Sequence, residues 1–446
     1  MSYSPQLLYF LDRLSGFSTN VFKLMPQGSS DAGPGKIVRF SLPANALLNT
    51  RSFKVHFCAS TTGTGARLPA DISSLIERVE ISAGGVQLSQ GVNFYNTLVK
   101  AKASLQGSVC DTVTGHAEIV RKNVLDGSTD IADSAGANET HSDTANNAPH
   151  VIDKWEGFLG TCEPKILDAS ILPDLVVSLY FTSASVLTSS KAADSIANFI
   201  LAPTAGVSAD YTIKNLHATI ETIGLADSVY DNMVQSLIAQ KGYLEIPFKQ
   251  YIAFNNTHSG SSRFTIATQS LDRVWTAWRH TGYDTLAPPV IATGHVETAN
   301  ADSPYNGMLS TMREKYHGKY HRFAQPAASA GTKVTYQLQL NGAYFPQFAA
   351  TAEEMYQITK SSLPKGVKPE MSLEQYTGDY FVQCVRLNMP DSEMSRMISG
   401  LDTRSVSLNG YVNTQNTANS TDNLIIFAEC TSALRVGAGR QVEVIV

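Results

Sequence analysis

A chain of 446 residues, 43% hydrophobic, holds apolar material for two cores of a little over 200 residues each, which excludes a disordered chain. Its net charge of −5 argues against wrapping nucleic acid. Only 16% of residues are charged, below the roughly 25% of average globular proteins, as expected of β-structure or of a surface that packs against other protein.

In chain order, residues 1–19 read as an N-terminal arm. It lacks the basic and apolar regions of a secretory signal, and its Leu7–Leu14 stretch (LLYFLDRL) reads as a satellite of the core, with a place against lipid or a neighbouring subunit as the alternative. Strands of period 2, or short apolar runs, follow at Lys36–Leu42, Ser52–Ala59, Ile76–Ser82, Leu175–Phe181 and Tyr211–Ile223. A second series runs through Tyr243–Phe254, Arg263–Thr268, Val334–Leu340, Tyr380–Leu387, Ser405–Val412, Leu424–Glu429 and Gln441–Val446. Three segments read as helices. Val92–Leu105 carries the stripe Phe94, Leu98, Ala101 and Leu105. Asp227–Ala239 repeats apolar pairs every four residues, and Ala352–Leu363 opens on the capping box Thr351–Glu354. The class is mainly β, and without strand–helix–strand alternation a doubly wound sheet is excluded.

The chain repeats itself. A strand, a Gly turn and a helix occur at Val79–Gly85 with Phe94–Leu98, and again at Leu338–Ala343 with Met355–Thr359. A strand, a Pro-initiated turn and a strand occur as Gly157–Thr161, Pro164 and Val177–Leu179, and again as Phe381–Leu387, Pro390 and Val406–Leu408. Ser52–Val55 further resembles Arg263–Ile266. The offsets are 211 residues for Phe53 and Phe264, 257 for Gly85 and Gly342, and 229 for Val177 and Val406. They place 46 extra residues (257 less 211) in the second copy's loop 282–323, and 28 (257 less 229) in the first copy's acidic loop Asp126–His150. The boundary between copies falls at residues 240 and 241, so that 20–240, ending in the linker helix 227–239, form the first unit and 241–446 the second.

Chemical motifs are missing. Gly28 and Gly33 have the spacing of a phosphate loop, but Pro34 stands where Lys belongs, and no dinucleotide, nucleophile-elbow or zincin motif occurs. His317 and His321 share metal-like spacing, yet Lys315, Lys319 and Arg322 surround them, so the Arg313–Arg322 cluster reads as an inter-subunit contact. Glu354 belongs to the helix cap, and Glu353 and Glu354, as neighbours on a helix, diverge too far to act as an acid–base pair. Cys58, Cys110, Cys162, Cys384 and Cys430 are scattered, odd in number and free of Cys-x-x-Cys pairs, and read as five free thiols of a reducing compartment. Sequons at Asn138, Asn255 and Asn419 are expected to be unmodified there. No catalytic, cofactor-binding or metal residue is assigned, and no cofactor is expected.

Leu75–Leu105, Pro164–Phe181, Tyr243–Arg279 and Asp379–Val412 together resemble the double jelly-roll major capsid proteins of DNA viruses, in particular those of polinton-like viruses and virophages. The resemblance implies two tandem eight-stranded jelly-roll β-sandwiches and a homotrimer forming a pseudo-hexagonal capsomer of an icosahedral virion. It also implies penton and minor capsid proteins as partners and an internal membrane, with no specific nucleic-acid binding. The alternative is a carbohydrate-binding or adhesive β-sandwich protein that presents Trp275, Trp278 and loop Asn and Asp side chains to sugar. A β-sandwich hydrolase would need convergent His and carboxylates, which the sequence does not place.

Overall fold

The computed structural model describes residues 17–62, 66–67, 72–89, 93–105, 149–186, 188–189, 210–225, 234, 236, 238–257, 260–280, 323, 325–326, 328–363, 373, 376–377, 381–389, 399–404, 408–418 and 422–445. Leu7–Leu14, most of the acidic loop, the Arg313–Arg322 cluster with its two histidines, Cys110, Asn138, Asn419 and Val406 lie outside them.

The first half contains β1 (Phe17–Leu24), β2 (Ile37–Ser41), β3 (Leu47–Thr62), β4 (Ala66–Arg67), β5 (Ile76–Ala83) and β6 (Val86–Ser89). Next come helix α1 (Tyr95–Leu105), β7 (Pro149–Ile152), the single turn α2 (Phe158–Thr161), β8 (Ile166–Asp168), β9 (Leu175–Phe181), β10 (Thr188–Ser189) and β11 (Asp210–Leu225). The second half contains β12 (Tyr243–Thr257), β13 (Ser261–Ile266), β14 (Leu271–His280), β15 (Thr335–Leu340) and β16 (Ala343–Thr351). It ends with α3 (Ala352–Ser362), β17 (Val382–Arg386), β18 (Leu408–Gln415), β19 (Asp422–Gly437) and β20 (Val442–Ile445).

Each half is a pair of antiparallel sheets with one strand order. The first has β1-β11-β3-β7 over β2-β9-β5-β6, and the second has β12-β19-β14-β17 over β13-β18-β15-β16. Substituting strands in chain order converts one pattern into the other, with β4, β8, β10 and β20 as additions. These are two eight-stranded jelly rolls. The pleat explains the burial: on β3, Phe53, Val55, Phe57 and Ala59 face the core while the residues between them face out. In the second half Trp278 meets Tyr336 edge to face and Phe381 at a tilt between the sheets.

The repeat in the sequence is real at its hairpin. Ala83 pairs with Val86 and Leu340 with Ala343 across two-residue turns, and all four turn residues have positive φ, Gly84 and Gly85 like Asn341 and Gly342. A Cβ on Gly84 would lie 2.7 Å from Pro173, so the Asn tolerated at 341 has no room at 84. The helices after both hairpins form as expected, α3 with its capping box, where the Thr351 N–H donates to Glu354 at 2.8 Å.

Four expectations need correction. Phe53 lies on β3 and Phe264 on β13, strands that are not equivalent, so that match is coincidental. Gly157–Thr161 is the helical turn α2 with its N-cap, whereas Phe381–Leu387 contains β17. Val177 opposes Ile81, and Val412 opposes Leu338, the residue four before the turn glycine as Ile81 is, so the counterpart of Val177 is Val412 rather than Val406. β1 also begins at Phe17, inside the stretch expected to be an arm. Of the linker helix 227–239, residues 234, 236, 238 and 239 are described and all are helical.

Candidate functional site

Among the described residues no three His, Cys, Asp or Glu side chains gather as a metal site, and no helix is long and apolar enough to cross a membrane. A cavity of about 710 Å³ beside β1 is lined by Ser18, Asn20, Phe22, Thr222 and Asp168. Its one carboxylate already accepts from the Ser170 hydroxyl at 2.6 Å. The charged groups that are buried together lie elsewhere, at the seam between the halves.

Helix α1 buries Leu98, Ala101 and Leu105 in the first half, which turns Lys102 toward the second. Lys102 Nζ donates to Glu156 Oε2 at 2.5 Å and to the Tyr251 hydroxyl of β12 at 2.7 Å. Tyr251 in turn donates to Glu156 at 3.1 Å, and the Glu156 N–H donates to the buried Tyr95 hydroxyl at 2.8 Å. Lys102 also stands 4.9 Å from the Tyr251 ring centroid and 6.0 Å from that of Trp275.

Beneath this triad, Arg273 Nη1 donates to Glu429 Oε1 at 2.9 Å and its Nε to the Ser362 carbonyl at 3.0 Å. Trp275 Nε1 donates to the other Glu429 oxygen at 2.8 Å. Burial pushes the Glu429 carboxyl up, but Lys102, Arg273, Lys249 and the Trp275 N–H more than reverse it, leaving it below its ordinary range. Burial drives Tyr251 and the Cys384 thiol upward. A protonated phenol, a protonated thiol and a carboxylate with both oxygens occupied supply no nucleophile or general base.

Lower on the seam, α2 meets the edge of β12. The Lys249 N–H donates to Thr161 Oγ1 at 2.8 Å, the Glu163 N–H donates to the Pro247 carbonyl at 2.9 Å, and Phe158 meets Phe248 edge to face at 5.1 Å. Lys249 Nζ reaches Asp272 at 2.6 Å and Thr431 at 2.8 Å. Polar groups so completely paired orient the two halves rather than react.

The residues weighed for chemistry from sequence do not come together. Trp275 and Trp278 are 2% and 1% exposed, so neither offers a face to sugar. Glu353 pairs with Lys333 at 3.0 Å on the surface. Cys58, Cys162, Cys384 and Cys430 are free thiols, the last three buried. Sequence reading missed the seam. Its one signal was a charge embedded in strong strands, Glu429 after Leu424–Ala428 and Arg273 before Val274 and Trp275.

No family model matches the sequence, and no curated protein matches it. Solved structures do. The PBCV-1 capsid protein, in a crystal structure fitted into a reconstruction of the virophage Sputnik, superposes with a TM-score of 0.57 at 13% identity, over 97% of this chain and 98% of that one. The Faustovirus major capsid protein gives 0.55 at 10% identity over 98% and 92%, and the Sputnik virophage structure 0.54 at 10% over 96% and 88%. The fold is thus the double jelly roll of viral major capsid proteins.

Proposed function

We propose that the chain is a major capsid protein that builds the shell of an icosahedral virion as a homotrimeric, pseudo-hexagonal capsomer. The observation that carries this reading is the identity of strand order in two sandwiches joined by a polar, fully paired seam. Two similar units per chain give six in a closed ring of three, the number a sixfold lattice position needs. The units are a first jelly roll that starts with β1 at Phe17 and runs to residue 240, and a second at 241–446, with an arm before β1. The protein is no enzyme. Its partners are copies of itself, then penton and minor capsid proteins, and it resides in the virion. The sugar-binding alternative loses its aromatic platform, since both tryptophans are in the interior.

Light scattering on the purified chain tests the assembly. A mass of about 145 kDa, three times 48.2 kDa, is expected, resistant to salt because an obligate contact is mainly apolar. A monomer at micromolar concentration, or a twofold dimer, refutes the capsomer.

A further inference from the structure

The mouth of the first jelly roll at the start of β1 is left uncovered by the described residues. Phe22 pairs with Ile220, which is 0% exposed, and lies two residues before Leu24, which packs on the core. Phe22 is therefore on the inner side of its strand. Yet it is 45% exposed. It stands in the wall of the cavity of about 710 Å³ beside β1, with Leu47, Ile171, Ile223 and Val234 of the linker helix. That volume lies within the ~300–1,000 Å³ of sites that hold a ligand.

The polar groups of the cavity are largely engaged with one another. The Val21 N–H donates to Asn20 Oδ1 at 2.8 Å, the Thr222 hydroxyl to the Asn20 carbonyl at 3.4 Å, and Arg440 Nη2 to Asn45 Oδ1 at 3.2 Å. Ser170 donates twice to Asp168 Oδ1, from its N–H at 2.9 Å and its hydroxyl at 2.6 Å. What remains is apolar wall and the second oxygen of Asp168, the one charged residue of the lining.

The sequence supplies a segment with both complements next to this mouth. Upstream of Phe17, Leu7, Phe10, Leu11 and Leu14 recur at the spacing of one helical face, Arg13 lies among them, and Ser15-Gly16 leads into β1. The distance suits it. Thr19 pairs with Ile223, Ile223 with Leu47 and Leu47 with Asp168, successive strand spacings that sum to about 14 Å. The chain from Phe17 back to Arg13 spans up to about 13 Å, and the arginine side chain covers the rest.

We infer that the cavity is the docking site of this chain's own N-terminal segment, with Leu11 and Leu14 against Phe22 and Ile171 and with Arg13 on Asp168. The contact lies within one chain and does not depend on how copies assemble. Its apolar side chains remove water from Phe22, and the charge pair fixes the direction in which the segment crosses the mouth.

Disulfide trapping tests the docking. Full-length protein carrying Leu14→Cys and Ile171→Cys in a Cys58→Ser background is oxidised mildly at two protein concentrations tenfold apart. Peptide mapping is expected to find a bond between positions 14 and 171 within one chain, at equal yield in both. Arg13→Glu should lower that yield at least threefold, and adding Asp168→Lys should restore it. Separately, the thiol of Ile171→Cys alone should react with a thiol reagent at least tenfold faster once Leu11→Asp and Leu14→Asp are added, with the melting of the fold unchanged. A disulfide that joins two chains gives the cavity to a second copy and overturns the proposal. So does a thiol at 171 indifferent to the Asp substitutions, or one protected only by vesicles of phosphatidylcholine and phosphatidylglycerol, which gives the cavity to lipid.

Discussion

Lys102 of the first half and Tyr251 of the second meet at 2.7 Å with Glu156 accepting from both, so one ammonium ties the halves together. The Lys102 and Glu156 side chains are only 12% and 19% exposed, and removing one leaves the other partly buried without its partner. Lys102→Met is therefore expected to lower unfolding stability by about 2–3 kcal/mol, somewhat under the range for a fully buried pair. Adding Glu156→Gln should recover part of the loss. Urea denaturation of the two variants checks both statements, and a double variant no better than the single would show that packing, not charge, is at stake.

Arg273 and Glu429 are more deeply buried, at 3% and 4% side-chain exposure, and Glu429 has no solvent to fall back on. Arg273→Ala is expected to cost about 3–5 kcal/mol. Glu429→Gln keeps the acceptor for Trp275 but leaves the buried Arg273 guanidinium without its counter-ion, so it should cost a comparable amount, and the double variant Arg273→Met with Glu429→Gln clearly less than the sum of the two. Denaturant midpoints at neutral pH test this, and a double variant whose loss equals that sum would count against an uncompensated charge as the cause.

Much of the fold was legible because period-2 alternation survives wherever one sheet face is core, as in Ile37–Ser41 and Thr335–Leu340. β14 does not read as a strand in the sequence because Arg273, Trp275 and Trp278 all face protein, so the stretch does not alternate. β7 and β6 have four residues each, too few to show a period. The false pairing of Phe53 with Phe264 arose because any two outward–inward strands share such a pattern. The seam was illegible for a different reason: Lys102, Glu156 and Tyr251 are 149 residues apart at their extremes, and only the tertiary fold joins them.

The equivalent hairpins invite a comparison. Gly342 has φ +88° and nothing near its absent side chain, so Gly342→Ala suffers only the backbone penalty, roughly 1–2 kcal/mol. Gly84 also has positive φ, and its Cβ would strike Pro173 at 2.7 Å. Gly84→Ala should therefore cost more than Gly342→Ala, and thermal melts of the two variants are expected to rank them in that order.

Among the four described cysteines, Cys58 alone is partly accessible, whereas burial pushes the Cys430 thiol up to about 12 and Cys162 and Cys384 in the same direction. In native protein Cys58 should react with a thiol reagent well before these three. Denatured without reductant, the chain should yield five thiols. Four or fewer would mean that a disulfide forms.

Acid should weaken the first half through His56. Burial, and then the charges of His217, Lys54 and Lys23, hold its imidazole below the ordinary 6.5 in the folded chain. The unfolded chain therefore binds the proton more readily, and stability falls as pH drops through about 6.5 toward the folded value. Above that window the contribution is fully present, since the ring is neutral in both states. Carboxylates elsewhere add their own acid loss, so the measurement is a difference. Melting temperatures at pH 7.5 and pH 5 are compared for the parent and for His56→Gln, which keeps a polar side chain opposite Thr219, the residue His56 contacts at 2.9 Å. The variant is expected to lose less stability between the two pH values. An equal loss in both proteins would exclude His56 as the group that titrates.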